Sequence, residues 1–295
     1  SKATELDPGF ARAWSSLAAA HITLPAYADE PARENYDLAV EYAQKALAMD
    51  PSIAEAHAVI ADVLRIDRSW SEAYKHYRTA LELEPTNSTG HLWFAEHLLS
   101  VGHATRALEH LEIALDLDPY NPGVHAVMHN AYTQLRDFDN AINYAESAGE
   151  LGQPAAVFWL AMAEVDAGLF EAAKSRLRAY PDTSDPAHPV YRYVAARESG
   201  NLEEYVVLLE TGNPPPQFRI EMLATVGRVS DAIEFAKTMP MRGNSWNAMW
   251  EIGIPELYAH PGFAEILESA GIISHWDEIG WPERCSRDGG QITCR

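Results

Sequence analysis

Residues 51–85 read PSIAEAHAVIADVLRIDRSWSEAYKHYRTALELEP, and residues 85–119 read PTNSTGHLWFAEHLLSVGHATRALEHLEIALDLDP. Set one under the other, the two stretches share a plan. An acidic residue and a proline close each unit, at Pro51, Pro85 and Pro119, so the period is 34 residues. Ala56-His57, Gly90-His91 and Val124-His125 align, as do Ala73, Ala107 and Ala141, then Ala80, Ala114 and Ala148. Within 54–85, His57, Ile60, Ala61 and Leu64 share one face of a helix, the spacing of an amphipathic element. Arg68-Ser69 marks a turn, and Ala73, Tyr77 and Ala80 form the inner stripe of a second helix. Pro85 ends that helix, because proline disfavours helix in the residue before it and has no N–H to give. Each unit is therefore expected to be a helical hairpin. Its alanines let the two axes approach closely.

The same plan extends outward from this core. Trp14, Leu17, Ala18 and His21 open an earlier unit, and Ala39, Ala43, Ala46 and Pro51 close it. Between them Leu24 to Pro31 adds a longer connection, and its two prolines argue against an uninterrupted helix. Lys2 to Pro8 reads like Thr79 to Pro85, the tail of a second helix, so 1–9 is expected to be a truncated half unit of a longer protein. Four clear units fill 10–153. Over 154–240 the pattern decays but stays helical. Gly168-Leu169-Phe170, Gly200-Asn201-Leu202 and Gly227-Arg228-Val229 each mark a turn into a second helix, while Pro181–Pro189 and Gly212–Pro216 read as loops. From 241 to 295 the texture changes to tryptophan and other aromatics. This stretch is expected to cap the exposed face of the last hairpin, with short helices near 262–270 and 273–279.

Composition narrows the function classes. The chain of 295 residues is too long for one ordinary core, but a stacked array escapes that limit because each unit packs on its neighbours. A net charge of −21 argues against a nucleic-acid partner, which needs a basic footprint. It suits a soluble protein with cationic or mixed-charge partners. No apolar run reaches the length of a membrane span, so direct membrane insertion is not expected.

A 34-residue period with small residues at fixed places and a closing proline is that of the tetratricopeptide repeat (TPR), which this chain resembles strongly over 10–152 and more weakly to about 240. The expected fold is an all-α, right-handed TPR solenoid with an aromatic helical cap. A narrower resemblance rests on the inserted first unit, on Trp70-Ser71-Glu72-Ala73, and on His260-Pro261-Gly262-Phe263, His275-Trp276 and Trp281-Pro282-Glu283-Arg284-Cys285. These look like the C-terminal TPR regions of bacterial multidomain signalling proteins. There the region follows an adenylate or guanylate cyclase domain or a winged-helix regulator, often with a TolB-like segment between. The resemblance implies a regulatory interaction module attached to an effector.

In the TPR pattern the first helices line a concave groove. The resemblance then places Arg12 and Ser15 of the first unit in it, with Glu55, Asp62 and Arg65 of the second. Thr89 and Glu96 follow from the third, and Asn130, Thr133 and Gln134 from the fourth. The groove is mixed polar with an acidic middle. TPR clamps for an acidic chaperone C-terminus need charged donors where this chain has Ala58, Leu92 and Ala126, so no such clamp is expected. A protein or peptide segment with basic groups fits better.

His57, His91 and His125 stand at equivalent places in units that stack too far apart to share an ion, and are read as structural. His125 and His129 share a helix face, but no third metal ligand is evident. Cys285 and Cys294 could close a small disulfide loop through Gly289-Gly290, which would imply an oxidising compartment; two free thiols are the other reading. Bacterial cytoplasm and periplasm both remain open. No phosphate-cradling glycine loop, Gly-x-Ser-x-Gly or His-Glu-x-x-His occurs, so neither catalysis nor a cofactor is expected. Two further functions stay in view: a small-molecule or metal sensing domain, and a homo-oligomerisation module.

Overall fold

A computed structural model describes residues 2–27, 31–179, 185, 187–212, 214, 216–239 and 245–294, with the side chains of 26, 27 and 245 left aside. After a short α1 (Lys2–Leu6), antiparallel helix pairs follow one another: α2 (Ala11–Tyr27) with α3 (Ala32–Met49), α4 (Ala54–Ile66) with α5 (Trp70–Leu83), α6 (Ser88–Ser100) with α7 (Ala104–Leu117), and α8 (Pro122–Gln134) with α9 (Phe138–Glu150). Shorter pairs continue the stack: α10 (Ala156–Asp166) with α11 (Phe170–Ala179), α12 (Pro189–Ser199) with α13 (Leu202–Thr211), and α14 (Pro216–Thr225) with α15 (Val229–Thr238). The first helices α2, α4, α6 and α8 lie side by side, each touching the next. This is the all-α TPR solenoid that the period predicts.

Local chemistry explains the hairpins. Asp50, Glu84 and Asp118 end their helices in extended backbone, with φ of −145°, −133° and −144°, as the proline that follows each of them demands. Asn87, Asn121 and Asp137 then accept backbone N–H bonds at the start of α6, α8 and α9. Ala39, Ala43, Ala73, Ala107, Ala114, Ala141 and Ala148 are wholly buried where paired helices cross.

The equivalent histidines form a latch. His57, His91 and His125 present Nε2 to the carbonyls of Pro51, Pro85 and Pro119 at 3.3, 3.1 and 2.9 Å. A carbonyl only accepts, so Nε2 carries the hydrogen and Nδ1 is left to accept. On the second helix of the same unit, His76 and His110 meet those Nδ1 atoms at 3.0 and 2.9 Å. In the fourth unit that place belongs to Tyr144, which packs on the His125 ring, and His125 Nδ1 has no hydrogen-bond partner among the described residues.

The first unit departs from expectation. Helix α2 runs through Pro25 to Tyr27. Proline within the last turn removes one backbone bond near an end that is already short of partners, so the helix tolerates it. Residues 28–30 of that connection lie outside the described residues, as do most of 180–186 and part of 212–216.

Past 244 come α16 (Ser245–Glu251), α17 (Pro255–Ala259), α18 (Pro261–Ser269) and α19 (Ile272–Ile279), then a hairpin of β1 (Cys285–Asp288) and β2 (Gln291–Cys294). Cys285 and Cys294 are disulfide-bonded across the hairpin. Helices α17 and α18 pack on α15 of the last pair. The segment also reaches back along the stack, as α19 packs on α5 and α16 on α6 and α8. Three indole N–H groups fasten this return: Trp70 donates to Ala270 O at 2.7 Å, Trp250 to Ser100 O at 3.1 Å and Trp276 to Val101 O at 2.8 Å. The acceptors Ser100 and Val101 close α6, so the segment lies across the turn edge of the regular units. Gly102 permits this, with φ of 82° and the Trp250 ring so close that a Cβ would sit 3.2 Å from it.

Candidate functional site

The groove along the first helices is a cavity of about 660 Å³ lined by Asp62, Arg65, Glu96 and Asn130, with Tyr36, Trp93 and Trp159 among its walls. Four of the expected groove residues therefore meet in one place. Their charges are largely spoken for. Arg65, buried, donates through Nε to Asp62 at 2.7 Å and lies 3.7 Å from Glu96, while Tyr77 OH donates to Asp62 at 2.9 Å. Burial alone would weaken the Arg65 charge, but Asp62, Tyr77 and Glu96 hold it firmly protonated. The same burial and the Asp62 charge push the Tyr77 hydroxyl well above its usual range. This knot fixes the groove floor and leaves its middle with one net negative charge, two carboxylates against one guanidinium.

Asn130 and Trp159 also belong to a second chamber, of about 330 Å³, where the groove meets α16. Its walls carry Phe158, Phe218 and three carboxylates, Asp166, Glu221 and Glu251. Arg197 serves two of them: it lies 3.2 Å from Asp166 and pairs closely with Glu221, which also accepts from Tyr193 OH at 2.5 Å. Burial raises both carboxyl groups despite Arg197. Glu251 forms no ion pair with any described cation, and burial followed by the Asp166 charge raises it to about 7. A carboxylate beside aromatic faces has the chemistry to accept a cationic group.

Other expected residues lie elsewhere. Arg12 and Thr89 are exposed. Ser15 is buried and donates to Glu55 at 2.7 Å, tying the first two units together. Thr133 bonds its own helix at His129 O and lines the acidic chamber. Gln134 is buried under the turn edge, with Nε2 facing Leu99 O at 3.4 Å. His125 and His129 take separate partners: His129 Nδ1 donates to Ala141 O at 3.1 Å and its ring stacks on Trp159. Burial holds His129 neutral, at about 4. No group of three or more metal-ligating side chains occurs among the described residues. No described helix is long and apolar enough to cross a membrane. The sequence reading missed Trp159, Glu221 and Glu251. They sit in degenerate units and in the returning segment, where no repeat register indicates which way a side chain points.

The tetratricopeptide repeat family model matches residues 32–88. No curated protein matches the sequence. Among solved structures, pilF of Pseudomonas aeruginosa is similar at 20% identity with a TM-score of 0.54, over 68% of this chain and 90% of that one. A tetratricopeptide repeat protein from Parabacteroides merdae is similar at 14% identity and 0.53, over 82% and 98%. A chain of the APC/C Cut9–Hcn1 hetero-tetramer is similar at 15% and 0.50, over 90% and 44%. At these identities the likeness is one of fold. The chain matches the tetratricopeptide repeat model in sequence over residues 32–88, and its stack of helix pairs has the fold of a tetratricopeptide repeat solenoid.

Proposed function

We propose that the protein is a non-catalytic interaction scaffold that holds a basic protein or peptide segment in its groove, with a lysine or arginine side chain reaching the chamber of Glu251, Trp159 and Phe218. The TPR fold supports the scaffold role. The observation that carries the finer reading is Glu251, whose carboxylate forms no ion pair with any described cation at the closed end of a groove whose other charges are paired. The resemblance to the repeat regions of bacterial signalling proteins supports a regulatory setting, in which groove occupancy would be read by an attached effector.

Calorimetry with a lysine-rich and a glutamate-rich peptide tests this. The basic peptide should bind, and Glu251→Gln should weaken it by about tenfold, the value of one charge-assisted contact. A bound cation lowers the Glu251 pKa from about 7, so binding near neutrality should release protons and its heat should vary with the buffer. Equal binding of the acidic peptide, or no change in Glu251→Gln, would remove the basic segment from the account.

A further inference from the structure

A third cavity, of about 480 Å³, opens on the turn edge, outside the groove, between the units and the returning segment. In a chain with net charge −21 its walls carry three arginines, Arg106, Arg136 and Arg284. Each is moored by a backbone carbonyl of the returning segment: Arg106 Nη1 at Ile279 O, 3.4 Å; Arg136 Nη1 at Glu251 O, 3.4 Å; Arg284 Nη1 at Trp250 O, 3.0 Å. Arg106 also donates to Tyr74 OH at 2.9 Å. A neutral carbonyl holds a guanidinium group without forming an ion pair. Neither Arg106 nor Arg136 has an ion pair among the described residues. One carboxylate, Glu283, stands at the rim and accepts from Thr105 at 3.3 Å.

Three further features concern the same walls. The first turn of α7 lines the cavity, and its N-cap residue His103 makes no capping bond, so helix N–H groups and the positive end of the helix dipole face that region. His103 and Gln134, each 5% exposed, leave Nε2 and Oε1 without hydrogen-bond partners among the described residues; both atoms are acceptors, so they suit a donor group on a ligand and not its carboxylate. Trp281, Tyr258, Pro255 and Leu135 supply an apolar side. Burial first, then the Arg106 charge, holds His103 at about 4, as a positive surrounding would.

Arg136 carries a separate sign. It occupies the left-handed turn position, φ 62°, as Arg68 does two units earlier at φ 64°, while Gly102, Gly168, Gly200 and Gly227 hold that position in other turns. A non-glycine residue there costs about 1 kcal/mol or more. The Gly253 backbone lies so close that a Cβ would sit 2.4 Å from Arg136 Nη1. What sets Arg136 apart from Arg68 is its place in the cavity wall, against Gly253.

We propose that this cleft binds a small organic carboxylate, its anionic end between Arg106, Arg136 and Arg284 and its apolar body against Trp281 and Tyr258. Planar guanidinium groups match a carboxylate two bonds at a time, and the apolar side favours a carbon skeleton over a bare inorganic anion. The site stands independently of the groove.

Benzoate, inorganic phosphate and benzylamine serve as probes on the full chain, read by calorimetry and by the fluorescence of Trp281. Benzoate should bind with a Kd of about 1 mM or tighter, more tightly than phosphate, and benzylamine should not bind. Arg136→Gly should weaken benzoate at least tenfold while leaving the melting temperature unchanged or raised, because glycine suits that turn. Arg106→Gln should weaken it too. The proposal is overturned if benzoate does not bind, if phosphate binds more tightly, or if both variants bind benzoate as the parent does.

Discussion

The regular units, 11–150, and the remainder of the chain reach a buried core by opposite means. In the first, alanines at fixed intervals let paired helices touch, and each unit leans on its neighbours. In the second, Trp246, Trp250, Phe263 and Trp276 are fully buried, and one apolar cluster extends from Trp70 and Val101 to Cys294. The first is stable by repetition and the second by return. A solenoid normally leaves its turn edge in water. Here the returning segment covers that edge, and the acidic chamber and the arginine cleft take part of their walls from it.

Acid should separate the two regions most strongly. His97, His103 and His275 meet where the returning segment crosses the units, with His97 Nε2 3.3 Å from His275 Nε2. Burial keeps all three neutral, His103 and His275 at about 4 and His97 well below its usual value. Arg65 and Arg106 add to the effect, while Glu278 opposes it at His275. Because the folded values lie below the ordinary 6.5, the unfolded chain takes up protons first. Their contribution to stability is complete above about 6.5 and is lost as pH falls toward 4. His110 and His129 lose stability over the same range, but each stands apart in its own unit. Glu251 has the opposite sign: raised from 4.5 to about 7, it favours the fold in acid and loses that contribution as pH rises through 7. Asp166 and Glu221 are raised in the same direction. The crowded histidines should dominate. Near-UV circular dichroism, which reports the packed tryptophans, should then collapse at higher pH than the far-UV helix signal. Coincident loss would mean that the two regions share one stability.

Substitution sharpens the contrast. Trp276→Ala removes a fully buried indole and orphans the Val101 carbonyl. It should cost about 3–5 kcal/mol in denaturant unfolding and lower the m-value by detaching the segment. Ala107→Leu, in the regular stripe, should cost about 1–3 kcal/mol through overpacking, with the m-value unchanged. If the two variants behaved alike, the distinction between repetition and return would be empty.

The same division decides what the sequence discloses. Pro51, Pro85 and Pro119 with the aligned alanines reveal the hairpins, because each constraint is met within one unit or by the next. The groove position of Asp62, Arg65, Glu96 and Asn130 follows from that register. Glu251 could not be placed so: its neighbours Asp166 and Glu221 come from other pairs, and α16 has no repeat to align with. Trp70 stands at the first residue of α5, beside the turn of its own hairpin. Its partner, Ala270, lies 200 residues further on, and no local pattern encodes a bond of that span. Gln134 fits the groove pattern by count, yet it sits at the last residue of α8, where the helix ends under the turn edge.

The central claim is the return of the chain end onto α5. Lys75 and Glu278 border one shallow depression on that contact. Spin labels at these two exposed positions, in the protein with its disulfide intact, should give a single short and narrow distance by pulsed electron paramagnetic resonance. A long, broad distribution would show the segment away from the units, and both the closed groove and the arginine cleft would fail with it.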